Sequence, residues 1–227
     1  MFGMIQVTGG FPKKEKIYIL ILLLLLSVLL SLMTGKEIQE RKLAELQEPE
    51  RPAIAAIGDS LTEGYGVKNS YTEILSKYLR TDVKNCGVGG IRISEISSNI
   101  DSCIEEDTDI VIFWGGANDL KYPTPLEDMI KEFNFALAQL SEKKVIVLTI
   151  PPNIELDEDS QETRKKFNNY ILSLENITVL DIYDVLKDPE NENLMREEYH
   201  LRGVHLNQEG YYVVANMVFR EIVQTFH

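Results

Sequence analysis

The stretch Ala53-Ile54-Ala55-Ala56-Ile57-Gly58-Asp59-Ser60-Leu61-Thr62-Glu63-Gly64 decides the fold. Five small or branched apolar residues run without a polar interruption, and the chain then turns polar at a glycine. A short apolar run closed by turn residues is the pattern of a strand covered on both faces. Four more runs of the same kind follow at Asp82–Cys86, Asp109–Trp114, Lys144–Ile150 and Ile177–Ile182. Between them lie stretches with helical spacing. Leu126, Met129, Ile130, Phe133, Leu137 and Leu140 recur every three to four residues, as do Tyr211, Val214, Ala215, Val218 and Ile222 after a possible cap at Asn207. Strands alternating with helices predict a three-layer α/β/α domain around a largely parallel sheet. In such sheets ligands bind beyond the carboxyl ends of the strands.

Composition bounds the rest of the reading. The 227 residues suit one catalytic domain with an appendage, and a hydrophobic share of 44% is that of a globular chain. The formal net charge is -13. Residues 1–35 hold three lysines and one glutamate, so the acidic excess falls on the remainder. Such a surface repels phosphate backbones and excludes nucleic acid as an expected partner. The two cysteines, Cys86 and Cys103, form no zinc-type spacing. A disulfide between them and two free core thiols are both open on sequence alone.

Residues 17–33, Ile17 to Met33, contain no charge and no polar face. This length is at the short end for a membrane-spanning helix. Lys13, Lys14 and Lys16 precede it, which predicts a cytoplasmic N-terminus over residues 1–16 and an outward-facing remainder. A cleaved signal peptide is the competing reading, with secretion as its consequence. Met33-Thr34-Gly35 is a poor cleavage site, so an uncleaved signal-anchor is expected. Residues 34–52 are rich in Glu, Lys, Arg and Gln and end in Pro49 and Pro52, which reads as a stalk. Glu37 and Arg41 are spaced to support a short solvated helix within it. The catalytic domain is then expected at 53–227.

Reactive residue types fall where the parallel sheet would gather them. Ser60 follows the first run, Gly87-Val88-Gly89-Gly90 the second, and Gly115-Gly116-Ala117-Asn118-Asp119 the third. Gly203-Val204-His205-Leu206-Asn207 stands just before the last helix. One rim would hold a hydroxyl, close-approaching backbone N–H groups, a side-chain amide and an imidazole. These are the parts needed for acyl transfer through a covalent intermediate. Taken singly, each has a plainer explanation: a helix cap for Ser60, tight turns for the glycines and Asn118, a structural imidazole for His205. No Gly-x-Ser-x-Gly occurs, so the serine does not come from an α/β-hydrolase elbow.

Together the four blocks, in this order, resemble the SGNH (GDSL-type) hydrolase family over residues 53–227. The resemblance implies a flavodoxin-like five-stranded parallel sheet and an esterase, lipase, deacetylase or O-acyltransferase activity. It implies Ser60 as nucleophile, His205 as base, and an oxyanion hole from the Ser60 and Gly90 N–H groups and the Asn118 amide. No metal and no organic cofactor are implied. The chain departs from the family at Arg202, where relatives usually carry an Asp three residues before the histidine. A guanidinium has only donors and cannot accept the imidazole N–H. A backbone carbonyl, a water, or Glu197 or Glu198 would then orient His205.

The expected function is a membrane-anchored extracytoplasmic serine esterase removing a short O-acyl group from a cell-envelope glycan or small ester. An O-acyltransferase on the same residues, or a silent glycan-binding protein, are the alternatives. Arg92 and Arg202 are expected near one rim, where they would read an anionic part of the substrate. Pairing of Arg202 with Glu197, Glu198 or Glu209 is the plainer possibility.

Overall fold

The computed structural model of the protein describes residues 13–45 and 51–226. The expected cytoplasmic segment lies largely outside the described residues, as do residues 46–50 of the expected stalk. The chain divides into two units, Met1–Glu50 and Arg51–His227.

In the first unit a single helix, α1, spans Lys13–Glu45. Its stretch Ile21–Gln39 is long and apolar enough to cross a membrane, with a mean hydropathy of 2.0 and none of it buried. The apolar segment and the first part of the expected stalk are therefore one continuous helix. The run Lys36 to Glu45 is built almost wholly of strong helix formers, so nothing stops the helix where the leucines end.

In the second unit the first strand, β1, is Ile54–Gly58, and the single turn α2 covers Ser60–Glu63. There follow α3 at Tyr71–Leu79, β2 at Val83–Gly87, α4 at Ile93–Ser98 and α5 at Ile100–Cys103. Next come β3 at Ile110–Trp114, α6 at Ala117–Lys121, α7 at Leu126–Gln139 and β4 at Lys144–Leu148. Then α8 spans Glu158–Leu172, β5 Thr178–Leu180 and α9 Ile182–Leu186. A 3-10 turn at Glu197–Tyr199 leads into β6 at His200–Arg202, β7 at His205–Leu206 and the final helix α10 at Gln208–Phe226.

All five main strands are parallel, in the order β2-β1-β3-β4-β5. This is the flavodoxin-like order, and its direction of winding reverses between β1 and β3. The central strands β1 and β3 are buried along their whole length, as their unbroken apolar sequence requires. Phe113, Phe133 and Phe167 pack edge to face, at 5.2 and 5.6 Å between centroids, and lock α7 and α8 to the sheet. On α10, Tyr211, Val214, Ala215, Val218 and Ile222 are all buried. Asn207 caps that helix by accepting from the Gly210 N–H at 3.1 Å.

Two features were not legible in the strand pattern. One is the small antiparallel ribbon β6-β7, which carries the late histidine. The other is a disulfide joining Cys86, on the edge strand β2, to Cys103 at the end of α5. The cysteines are thus paired rather than free thiols.

Candidate active site

The serine sits where β1 meets α2. Asp59 caps this single turn, its Oδ1 accepting from the Leu61 N–H at 2.9 Å. The turn closes through Gly64 N–H to the Ser60 carbonyl. From the other end of the chain, the Tyr211 hydroxyl donates to the Leu61 carbonyl at 2.9 Å, tying α10 to the serine turn. Asp59 is fully buried, and its Oδ2 has no hydrogen-bond partner. Burial pushes its carboxyl up to about 7, against the Leu61 N–H bond and with help from Asp119.

Ser60 Oγ lies 2.9 Å from His205 Nε2, although 145 residues separate them. The half-buried imidazole has its pKa lowered, first by burial and then by the Arg202 guanidinium. A hydrogen bond to the backbone of Arg202 acts in the opposite sense, Lys121 lowers further, and Glu155 raises. Nε2 faces the serine, and the backbone of Arg202, paired with His205 across the ribbon, acts on the other side of the ring in favour of a protonated nitrogen there. This interaction fixes the tautomer with Nε2 free to accept. Among the described residues no carboxylate hydrogen-bonds the ring. The chain has replaced a side-chain acid by a main-chain carbonyl at the same residue.

Asn118 is in α6, directly beyond β3. Its Nδ2 donates to the Ile91 carbonyl at 2.9 Å, which uses one of two amide hydrogens and leaves the other. The same bond ties the turn containing Gly90 to the mouth of the switch crevice. Gly90 is exposed, with φ +83, a left-handed conformation that glycine adopts without steric cost. At Gly87 a Cβ would stand 2.1 Å from the Glu63 N atom, so only glycine lets β2 approach the serine turn this closely. Asp119, beside Asn118, is mostly buried and accepts from the Ile93 N–H at 3.0 Å. Burial raises its carboxyl to about 6.

Ser60, Asn118 and His205 share a cleft of about 520 Å³ with Lys121, Glu155 and Arg202. Gly90 and Arg92 do not line it. Arg92 precedes α4, its N–H bonded to Glu95 Oε2, and its guanidinium lies 5.6 Å over the Tyr122 ring. Its charge favours the ionised form of the buried Asp119 and partly offsets the effect of burial. The two arginines therefore do not share one rim. Among the described residues no glutamate pairs with Arg202: its Nη2 donates to the Tyr65 hydroxyl.

Tyr65, Lys121 and Glu155 escaped the sequence reading. Tyr65 lies between Gly64 and Gly66 just past the serine turn, and Lys121 is one helical turn beyond Asn118. Only spacing relative to the named blocks could have flagged them. A second cavity, about 540 Å³, lies along α8 and α9 around Arg164 and Tyr183. It contains neither the serine nor the imidazole, so its size does not make it the reactive site.

A serine hydroxyl on an imidazole, at the switch point of a flavodoxin-like sheet, defines the class as an α/β/α hydrolase with a serine–histidine site. Residues 56–213 match the GDSL-like Lipase/Acylhydrolase family, and the chain belongs to that family. It is accordingly a hydrolase acting on ester bonds. A lipolytic protein of the G-D-S-L family from Desulfitobacterium hafniense is 25% identical, with a TM-score of 0.66 over 74% of this chain and 98% of that one. A lipase/acylhydrolase from Enterococcus faecalis is 22% identical, with a TM-score of 0.65 over 75% and 95%. An acetylxylan esterase from Geobacillus stearothermophilus is 18% identical, with a TM-score of 0.59 over 75% and 94%. No curated protein matches the chain.

Proposed function

We propose that the protein is a membrane-anchored esterase that removes short O-acyl groups from a glycan on the outer side of the membrane. The observation that carries the chemistry is the 2.9 Å contact between Ser60 Oγ and His205 Nε2. In this reading His205 takes the serine proton as Oγ attacks the ester carbonyl. The oxyanion is met by the Ser60 N–H group and the free amide hydrogen of Asn118, whose residues both line the cleft. His205 then gives its proton to the leaving alcohol. Water, deprotonated by the same imidazole, cleaves the acyl-enzyme and restores the serine. The Arg202 carbonyl keeps the required tautomer but adds no negative charge, so the site works as a dyad. A lowered histidine pKa suits this task, since the base must be neutral before the attack.

Location is argued from two independent features. Lysines precede the apolar stretch of α1, which favours an outward-facing hydrolase unit. The Cys86–Cys103 disulfide supports the same side, since such bonds persist in oxidising compartments. A glycan ester as substrate draws on the anchoring and on the likeness to an acetylxylan esterase. The deciding experiment uses the full chain in detergent with aryl esters from acetyl to octanoyl and with an O-acetylated polysaccharide. Release of acetate from the polysaccharide, and faster cleavage of acetyl than octanoyl esters, is expected. Cleavage confined to long acyl chains would overturn the short-acyl glycan reading.

A further inference from the structure

The in-plane contacts of His205 leave one motion free. Its two ring nitrogens meet Ser60 Oγ and the Arg202 carbonyl. An imidazole donates and accepts in its ring plane, so contacts at its two nitrogens leave it free to tilt about the line joining them. A tilt carries Nε2 off the Oγ lone pair, and small misplacements of a base are costly in rate. A flat surface against one face of the ring would remove that freedom.

Such a surface is present. The Tyr65 ring packs on His205 with centroids 4.4 Å apart and planes inclined by 34°. Tyr65 is tied to the nucleophile by its own backbone, since its N–H donates to the Ser60 carbonyl at 3.1 Å. Its ring is held from the far end of the chain by Arg202. The Arg202 guanidinium donates to the Tyr65 hydroxyl, and its carbon lies 5.0 Å from the ring centroid. Arg202 thus reaches the imidazole twice, through its carbonyl directly and through its side chain by way of Tyr65. The tyrosine is 37% exposed, which is more than a core-packing role would need.

We infer that Tyr65, clamped by the Arg202 guanidinium, is a positioning residue for His205, supplying the rigidity that a side-chain acid does not provide here. The clamp accounts for an arginine at this position: an aspartate would orient the imidazole alone, whereas arginine holds the ring that covers it. Covering one face strips water from the imidazole, and the nearby cation adds to the effect. Both disfavour the charged form and keep the base neutral.

This inference rests on His205 being the base, so its test includes a readout that does not need turnover. The full chain in detergent is labelled with ¹³C-histidine, and the His205 resonance is assigned by its loss in His205→Gln. Its titration midpoint is compared in the wild type, Tyr65→Ala, Tyr65→Phe, Arg202→Ala and Arg202→Lys. Tyr65→Ala and Arg202→Ala should each raise the midpoint by about half a pH unit or more. Tyr65→Phe keeps the ring face and Arg202→Lys keeps the charge, so both should titrate near the wild type. On aryl acetate, Tyr65→Ala should lower kcat about tenfold to a hundredfold with KM nearly constant. Its acid limb in kcat/KM should move up with the His205 midpoint. A loss of kcat without movement of the His205 titration would mark a merely structural tyrosine and overturn the inference. If Tyr65→Ala does not fold, Tyr65→Leu takes its place, and an unmoved midpoint there overturns it equally. Absence of ester cleavage by the wild type would defeat the proposed function while leaving the titration readable.

Discussion

Reducing the Cys86–Cys103 bond is the perturbation whose size follows most directly from the structure. The cysteines are 17 residues apart in sequence, and they join the edge strand β2 to the end of α5. Among the described residues β2 pairs with β1 alone, and much of it is solvent-facing. Closing a loop of this length removes about 3 kcal/mol of conformational freedom from the unfolded chain. For a urea dependence of about 2 kcal/mol per molar, reduction should lower the unfolding midpoint by about 1.5 M. Reduction leaves the same side chains in place, so no cavity term enters, as it would for Cys103→Ala at a buried site. The assay is urea unfolding of the full chain in detergent, with and without dithiothreitol. Fluorescence of Trp114, the single tryptophan and fully buried at the end of β3, reports the hydrolase unit alone. A midpoint that does not move on complete reduction would refute the reasoning. The same bond should be found oxidised in protein taken directly from cells under thiol-blocking conditions. A fully reduced pair would contradict the outward orientation.

Two further outcomes are expected. Asn118→Ala should reduce kcat on aryl acetate by about 10²–10³ with little change in KM, because the amide acts mainly as charge develops on the oxyanion; an unchanged kcat would reduce Asn118 to the link with Ile91. Asp59→Asn should stabilise the protein more at pH 8 than at pH 5. The Asp59 carboxyl is raised by burial to about 7 in the fold, so its contribution is full below the ordinary value of 3.8 and is lost as pH rises towards about 7. Asparagine copies the uncharged acid at every pH and keeps an oxygen for the Leu61 N–H. Urea midpoints that differ from the wild type by the same amount at both pH values would mean that Asp59 does not titrate in this range.

The strand runs and amphipathic helices were legible because their periods are set by burial, and burial governs the whole sheet. The observed strands fall within about two residues of the expected ends. At the fifth run the strand is shorter because Asp181 caps α9, its Oδ1 accepting from the Asp184 N–H at 3.1 Å. The proximity of Ser60 and Asn118 was legible too, since parallel strands deliver their carboxyl ends to one edge, whereas His205 reaches the same cleft from the ribbon that the pattern did not show. What was not legible depends on side-chain direction. Arg92 and Arg202 both flank named blocks, yet one runs to Tyr122 and the other to Tyr65. The substitute for the missing aspartate is a carbonyl, which every residue possesses and no sequence pattern marks. Likewise, sequence spacing cannot tell whether two cysteines meet, since that depends on how β2 and α5 pack.

The central claim is that Ser60 becomes acylated, and intact mass tests it most directly. The full chain in detergent is mixed with excess aryl acetate, whose good leaving group makes acylation faster than deacylation while His205 is neutral, and is quenched with acid within seconds. The account predicts a gain of one acetyl group, about 42 Da by the covalent scheme, located on the peptide containing Ser60. The adduct should be absent in Ser60→Ala. Acetyl found on another residue, or ester cleavage that persists at the wild-type rate in Ser60→Ala, would contradict it.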